Sequence, residues 1–205
     1  LGVGPGATIH FLGPIFVLFW FVLVRKISVR PLVWIAAMGA VVGVGLVTQA
    51  WNLDSSDAYG VLIGLVAACS FASYLLLGEH FAGAYDPIHV AVWGFAFASL
   101  IWVIALPLWS FPTAISGAAW RDLVIIGIIG TAIPFVVEFA ALRLIVASIV
   151  GVIATAEPVV AAVAAVILLD QHLELVQWVG VVIVVVAVAA VQRWGLKDSQ
   201  SVVVV

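Results

Sequence analysis

Glu138 and Glu157 are the only acidic residues that fall deep inside long apolar stretches of this 205-residue chain. An ionised side chain at the centre of a bilayer costs at least ~2.5–3.5 kcal/mol on insertion scales. Such carboxylates therefore face a cavity or a partner, and are often protonated. Two readings stay open for each: contact with a substrate ammonium or a transferred proton, or a protonated, hydrogen-bonded carboxylate between packed helices. Pro158 follows Glu157 directly, and Pro134 lies four residues before Glu138, on the same helix face, with Thr131 adjacent. A proline inside a helix removes one backbone donor. Pro158 and Pro134 thus free the carbonyls of Ala154 and Gly130, either to bind a polar ligand or water or only to kink the helix. His10 stands one turn before Pro14. A switch between neutral and cationic imidazole near about pH 6.5 would suit proton coupling; the alternative is a histidine near the start of the chain with no such role. Tyr74 and Trp93 are deep enough to line a cavity, or equally to pack or touch lipid.

Absences narrow the chemistry. His80, His89 and His172 show no metal-ligand spacing, and the one cysteine, Cys69, allows neither a disulfide nor a cysteine metal site. Neither a metal nor a cofactor is expected. No Lys or Arg lies well within a long apolar stretch, so there is no clamp for phosphate or carboxylate. Neutral, zwitterionic or cationic small molecules fit better than anionic ones, and no basic stripe exists for nucleic acid.

The elements that must hold these residues are membrane spans. Hydrophobic residues make up 66% of the chain and charged ones 8%, against roughly 25% charged in soluble domains. A spanning helix needs about 20 mostly apolar residues. Seven stretches qualify: Pro5–Val24, Pro31–Ala50, Ala58–Leu77, Ile88–Trp109, Leu123–Leu142, Leu144–Leu169 and Leu173–Trp194. They are apolar on all faces, without the alternation of a barrel strand. The expected fold is an all-α polytopic membrane bundle. Trp51, Trp109, Trp120, Trp178 and Trp194 fall near helix ends, as interfacial anchors do. Gly39 with Gly43, and Gly60 with Gly64, have the spacing that lets helices approach closely.

Lys and Arg set the orientation. Arg25, Lys26, Arg30, Arg143, Arg193 and Lys197 share one side and only Arg121 falls on the other, so the former side, with the C-terminus, is expected to be cytoplasmic. A shift of 144 residues places Ile9, Pro14, Val22, Trp34 and Val47 on Ile153, Pro158, Val166, Trp178 and Val191. The turn of the first copy carries Arg25, Lys26 and Arg30, and that of the second Asp170 and Glu174. Matched turns of opposite charge belong on opposite faces of the membrane, the mark of an inverted repeat with a substrate site near mid-bilayer. Three further spans lie between the copies, so a whole repeat would have five helices, and three of the first copy are expected to be missing from the N-terminus.

The run Ala156-Glu157-Pro158-Val159-Val160-Ala161-Ala162, then Leu168-Leu169-Asp170 and Gln177-Trp178-Val179-Gly180, resembles the close of the EamA family of drug/metabolite transporters, with Asp170 where glutamate is usual. Gly127-Ile128-Ile129-Gly130-Thr131-Ala132 with Ala140-Ala141-Leu142, and the stretch from Gly60 to Tyr74, are similar to earlier parts of the same domain. The resemblance implies ten helices in two inverted five-helix repeats. Residues 1–50 would then be the last two helices of the first repeat, 51–57 a loop, 58–195 the second repeat and 196–205 a tail. Pro134 to Leu142, and Phe11-Leu12-Gly13-Pro14, resemble the threonine and homoserine exporters of that family, with His10 where that branch carries a glutamate.

The expected function is secondary transport, with export of amino acids or related metabolites by alternating access and proton coupling as one option. No phosphate-binding Gly-x-x-x-x-Gly-Lys run is present, and no histidine stands at suggestive spacing from a serine motif or carboxylate, so neither ATP-driven pumping nor an enzyme is expected. The alternative is a non-transporting scaffold or an inactive truncated paralogue. The expected partners are the bilayer of the cell membrane, the substrate, and a second copy of the chain that could replace part of the missing wall.

Overall fold

The computed structural model describes residues 3–51, 58–106, 108–110 and 115–195. Asp54, Asp57, Lys197 and the tail from 196 lie outside the described residues. Among the described residues ten α-helices follow one another: α1 (Val3–His10), α2 (Gly13–Leu23), α3 (Pro31–Val47), α4 (Ala58–Ala84), α5 (Pro87–Ala105), α6 (Gly117–Gly127), α7 (Ile133–Leu142), α8 (Ala147–Ala154), α9 (Glu157–Leu169) and α10 (Leu175–Ala190). A five-residue π turn, Ile128–Ala132, joins α6 to α7, and a second, Val191–Gly195, extends α10.

Prolines mark the starts. Pro14, Pro31, Pro87, Pro134 and Pro158 each occupy the first or second position of a helix, where an N–H would have no partner anyway. Polar caps hold other starts: Asp86 accepts from the Ile88 amide at 2.9 Å, and Ser116 from the Ala119 amide at 3.2 Å. At α10, Glu174 and Gln177 cap each other's backbone.

Among the described residues six helical stretches are long and apolar enough to cross a membrane: Pro5–Leu23, Ala58–Ala84, Pro87–Ala105, Gly117–Leu142, Ala147–Leu169 and Leu175–Trp194. In place of the other expected span, Pro31–Ala50, stands a shorter apolar helix of 17 residues, Pro31–Val47, about 25 Å long at 1.5 Å per residue. Two boundaries differ most from the sequence reading. Helix α4 runs on through Gly78 to Ala84, because nothing from Gly78 to Ala84 forbids helix and the next proline is Pro87. Helix α6 begins at Gly117 rather than Leu123, because Ser116 caps it there.

The chain forms two compact units, one made of residues up to Leu77 with those from Ile145 onward, the other of Gly78–Leu144. The first is built on α3 and α10, which pack along each other. They meet at Gly43 and Gly180: a Cβ on Gly180 would lie 2.6 Å from the Gly43 carbonyl oxygen, so backbone touches backbone. Phe11, Val44, Val47, Val159, Val181 and Val184 form the core around this crossing. Two polar ties reinforce it. Gln177 Nε2 donates to the Val47 carbonyl at 2.8 Å, and the Thr8 and Thr48 hydroxyls lie 2.9 Å apart. Helix α2 packs on α8, with Pro14 against Gly151. In the second unit α5 packs on α7, Phe95 edge-on to Phe135 at 5.2 Å.

The 144-residue shift returns in the helix ends of the first unit. Adding 144 to Val3 and His10, the ends of α1, gives Ala147 and Ala154, the ends of α8. The starts of α2 and α3, Gly13 and Pro31, fall on Glu157 and Leu175, the starts of α9 and α10. At each interruption the backbone switches to the tighter i→i−3 bond, Leu12 N–H to Ile9 O and Ala156 N–H to Ile153 O, both 3.0 Å. Lys26 and Asp170, also 144 apart, are both left-handed, with φ of 55° and 51°.

Candidate functional site

Two spans that read as continuous in the sequence are each broken once, at Phe11–Leu12 and at Thr155–Ala156. The first unit gathers its chemistry around these breaks. His10 ends α1, and its ring stacks on Phe71 of α4 at 4.7 Å and 30°. The imidazole donates to the Ala67 carbonyl and lies within electrostatic reach of Glu157. Phe71 is stacked in turn on Tyr74 at 6.2 Å and 12°, and Phe11 stands edge-on to both His10 and Phe71. Glu157 is the first residue of α9 and is exposed; negative charge is well placed at a helix N-terminus. Thr155, in the same break, is buried and donates to the Val152 carbonyl at 2.6 Å.

Pro14 and Pro158 are the second residues of α2 and α9. Lacking N–H groups, they cannot bond the carbonyls of His10 and Ala154 four residues back. The breaks thus set two helix starts, two carbonyls without that helical bond, an imidazole and a carboxylate in one unit. Broken spans of this kind let a protein present backbone dipoles at membrane depth without exposing a loop to lipid.

The second unit holds the other candidates. Glu138 lies on α7, one turn after Pro134; its residue is half-buried and its Oε1 is closed off from the surface. Thr131 sits in the π turn and donates to the Ile126 carbonyl at 3.0 Å, five residues back, where a helix that widens by one residue leaves an acceptor to satisfy. Pro134 is the second residue after that turn. π turns of one step concentrate at functional positions. Trp93, on α5, is 62% exposed and tilted against Phe97 at 6.0 Å.

His10, Tyr74, Pro14, Glu157 and Pro158 therefore belong to one unit, and Glu138, Thr131, Pro134 and Trp93 to the other. Sequence reasoning missed Phe71, the ring between His10 and Tyr74, and Thr155. Phe71 falls three residues before Tyr74, the spacing of one helix face, and that was the signal available. Glu79, beyond the expected span Ala58–Leu77, lies within α4 and is half-buried. Among the described residues no group of three or more metal-ligating side chains gathers.

Comparison with known proteins agrees with this architecture. One crystal structure, described only as that of a protein, matches with a TM-score of 0.74 at 17% identity, covering 94% of this chain and 67% of that one. Thirteen chains of solved structures match in all. No curated protein sequence matches. At that identity the likeness shows the fold. The model of the EamA-like transporter family matches residues 58–192, from the start of α4 through the end of α10, about two thirds of the chain. The chain is a multi-pass membrane protein and belongs to the EamA-like transporter family.

Proposed function

We propose that the chain is part of a secondary transporter that exports small amine-bearing metabolites, amino acids among them, by alternating access. The observation that carries this reading is the pair of broken spans with His10 and Glu157 at their breaks, in a chain of the EamA-like transporter family. Glu157 and Glu138 are the acidic groups for a cargo ammonium or a coupled proton. Cations are scarce near them: the described Lys and Arg residues lie in turns or within a few residues of a span's end. That charge pattern favours neutral, zwitterionic or cationic cargo.

The likeness of Pro134 to Leu142 to threonine and homoserine exporters makes those two amino acids the first substrates to try. The turns with Arg25, Lys26, Arg30 and Arg143 face the cytoplasm in this reading, and the two 144-spaced copies insert in opposite directions in the cell membrane. Efflux of radiolabelled threonine and homoserine from cells expressing the full gene tests it. Expression should raise efflux several-fold, and Glu138→Gln and Glu157→Gln should each reduce it at equal protein level. Efflux no faster than in cells without the gene, for these and for other amino acids, would refute the reading.

A further inference from the structure

Lys26 and Arg30 stand 144 residues before Asp170 and Glu174. The two turns therefore match position for position, and Lys26 and Asp170 share a left-handed backbone, but the charges are opposite. Glu174 is engaged by its own helix, its side chain accepting from the Gln177 amide at the start of α10. The basic turn gathers further cations instead. Because a Cβ on Gly43 would touch Val184 and one on Gly180 would touch Val47, α3 and α10 run antiparallel. The start of α3 thus meets the end of α10, and the π turn Val191–Gly195 packs on α3. That brings Arg193 to the same end of the helix pair as Arg25, Lys26 and Arg30.

Two of these cations are held by rings. The Arg25 guanidinium carbon lies 4.6 Å from the centre of Phe21, and that of Arg193 5.7 Å from the centre of Trp194. A guanidinium whose face rests on a ring keeps its edge N–H groups for an anion, and its fork suits two phosphate oxygens. Carboxylates from the chain are scarce here: residues 1–53 and 175–197 contain no Asp or Glu. Lys197 and Asp198 follow in the sequence, outside the described residues. Residues 25–30 and 193–198 together hold five cations against one acid. Apolar chains have a place beside this cluster. Ile35, Met38 and Val42 form an exposed stripe that descends α3 from Pro31, and Val182, Val186 and Ala189 form another on α10 that ends at Arg193. Cations at the head of exposed apolar helix faces suit an anionic headgroup with its acyl chains.

We propose that this end of the α3–α10 pair binds one anionic phospholipid: Arg25, Lys26, Arg30 and Arg193 hold its phosphate, and its acyl chains run down the exposed apolar face beside them. The bound lipid ties the α2–α3 turn to the end of α10 and so staples the two helices that organise the first unit. The matched turn with Asp170 and Glu174 repels the same headgroup. The site is independent of the transport reading and needs no cargo.

The test offers the full-length protein, in mild detergent, equal amounts of dioleoyl phosphatidylglycerol and dioleoyl phosphatidylcholine, and native mass spectrometry counts the lipid retained. One phosphatidylglycerol should stay bound, at least about tenfold more tightly than phosphatidylcholine. Arg193 is exposed, so its replacement leaves the packing intact. Arg193→Gln should weaken the phosphatidylglycerol about fivefold, the contribution of one cation near a headgroup. Arg143→Gln, which removes one charge from a different turn, should leave it unchanged. Arg25→Lys with Arg193→Lys keeps the charge but loses both planar forks, and should weaken binding at least about threefold. Equal retention of the two lipids would overturn the proposal, as would a bound phosphatidylglycerol that none of these substitutions weakens. Equal losses for Arg143→Gln and Arg193→Gln would overturn it too, because they mark a diffuse attraction to basic turns. So would release of the lipid by inorganic phosphate beyond that caused by chloride of equal ionic strength, the mark of a site for free phosphate.

Discussion

Replacing Gly180 by alanine probes the crossing that organises the first unit. The new Cβ would sit 2.6 Å from the Gly43 carbonyl oxygen and 2.8 Å from both the Leu46 Cβ and the Val47 nitrogen. These are backbone atoms or the first atom of a side chain, so no rotamer change can clear them. Ordinary contact begins near 3.4 Å, so α3 and α10 must part by about 0.8 Å at this point, which also strains the 2.8 Å bond from Gln177 to the Val47 carbonyl. Overpacking of this kind costs about 1–3 kcal/mol, against about 1 kcal/mol gained when alanine replaces glycine inside a helix. The net change for Gly180→Ala is therefore a loss of about 0–2 kcal/mol. Gly39 supplies the control. It lies on the same α3, yet a Cβ there meets nothing within 4 Å, so Gly39→Ala keeps the helix gain of up to about 1 kcal/mol. Reversible unfolding in mixed micelles, titrating a denaturing detergent against a mild one, should separate the two variants by the overpacking cost, about 1–3 kcal/mol. Equal stability of the two variants would refute the close crossing and the reasoning built on it.

Other perturbations follow from the same contacts. Gln177→Ala removes both the bond to Val47 and the cap on Glu174, and should cost about 1–2 kcal/mol in the same unfolding assay. Lys26 holds a left-handed backbone; Lys26→Val, branched at Cβ, should lose about 1–2 kcal/mol there, while Lys26→Gly should stay within about 0.5 kcal/mol of the parent, since relieved strain is offset by unfolded-chain entropy. Thr131→Val deletes the bond that satisfies the Ile126 carbonyl in the π turn and should destabilise by about 1 kcal/mol. A Thr131→Ser variant, which keeps the hydroxyl, should not.

Much of the architecture was legible because bilayer physics leaves few options. All-apolar stretches have to be helices, and Pro14, Pro31, Pro87, Pro134 and Pro158 announced where helices begin, since a proline is tolerated in the first turn. What stayed hidden was decided by tertiary contact. Neither Phe11–Leu12 nor Thr155–Ala156 contains a residue that breaks a helix by itself. The interruption reflects each proline two or three residues later, together with what packs around it. Gly78 looked like a stop, but α4 passes through it, and a Cβ there would meet Leu142 at 2.7 Å, so this glycine serves packing rather than turning. The stacking of His10 on Phe71 joins residues 61 positions apart, which no local pattern encodes. The 144-residue relation was visible in Pro14 and Pro158, and the helix ends and the left-handed pair Lys26 and Asp170 give it a structural register.

The proposed function requires two matched helical elements to lie in opposite senses across the membrane, and thiol labelling of their turns tests this most directly. In a Cys69→Ser background, Ser28→Cys and Gln171→Cys should each react with an impermeant maleimide from one face only, Ser28→Cys from the cytoplasmic face and Gln171→Cys from the outer face. Labelling of both cysteines from the same compartment would contradict it.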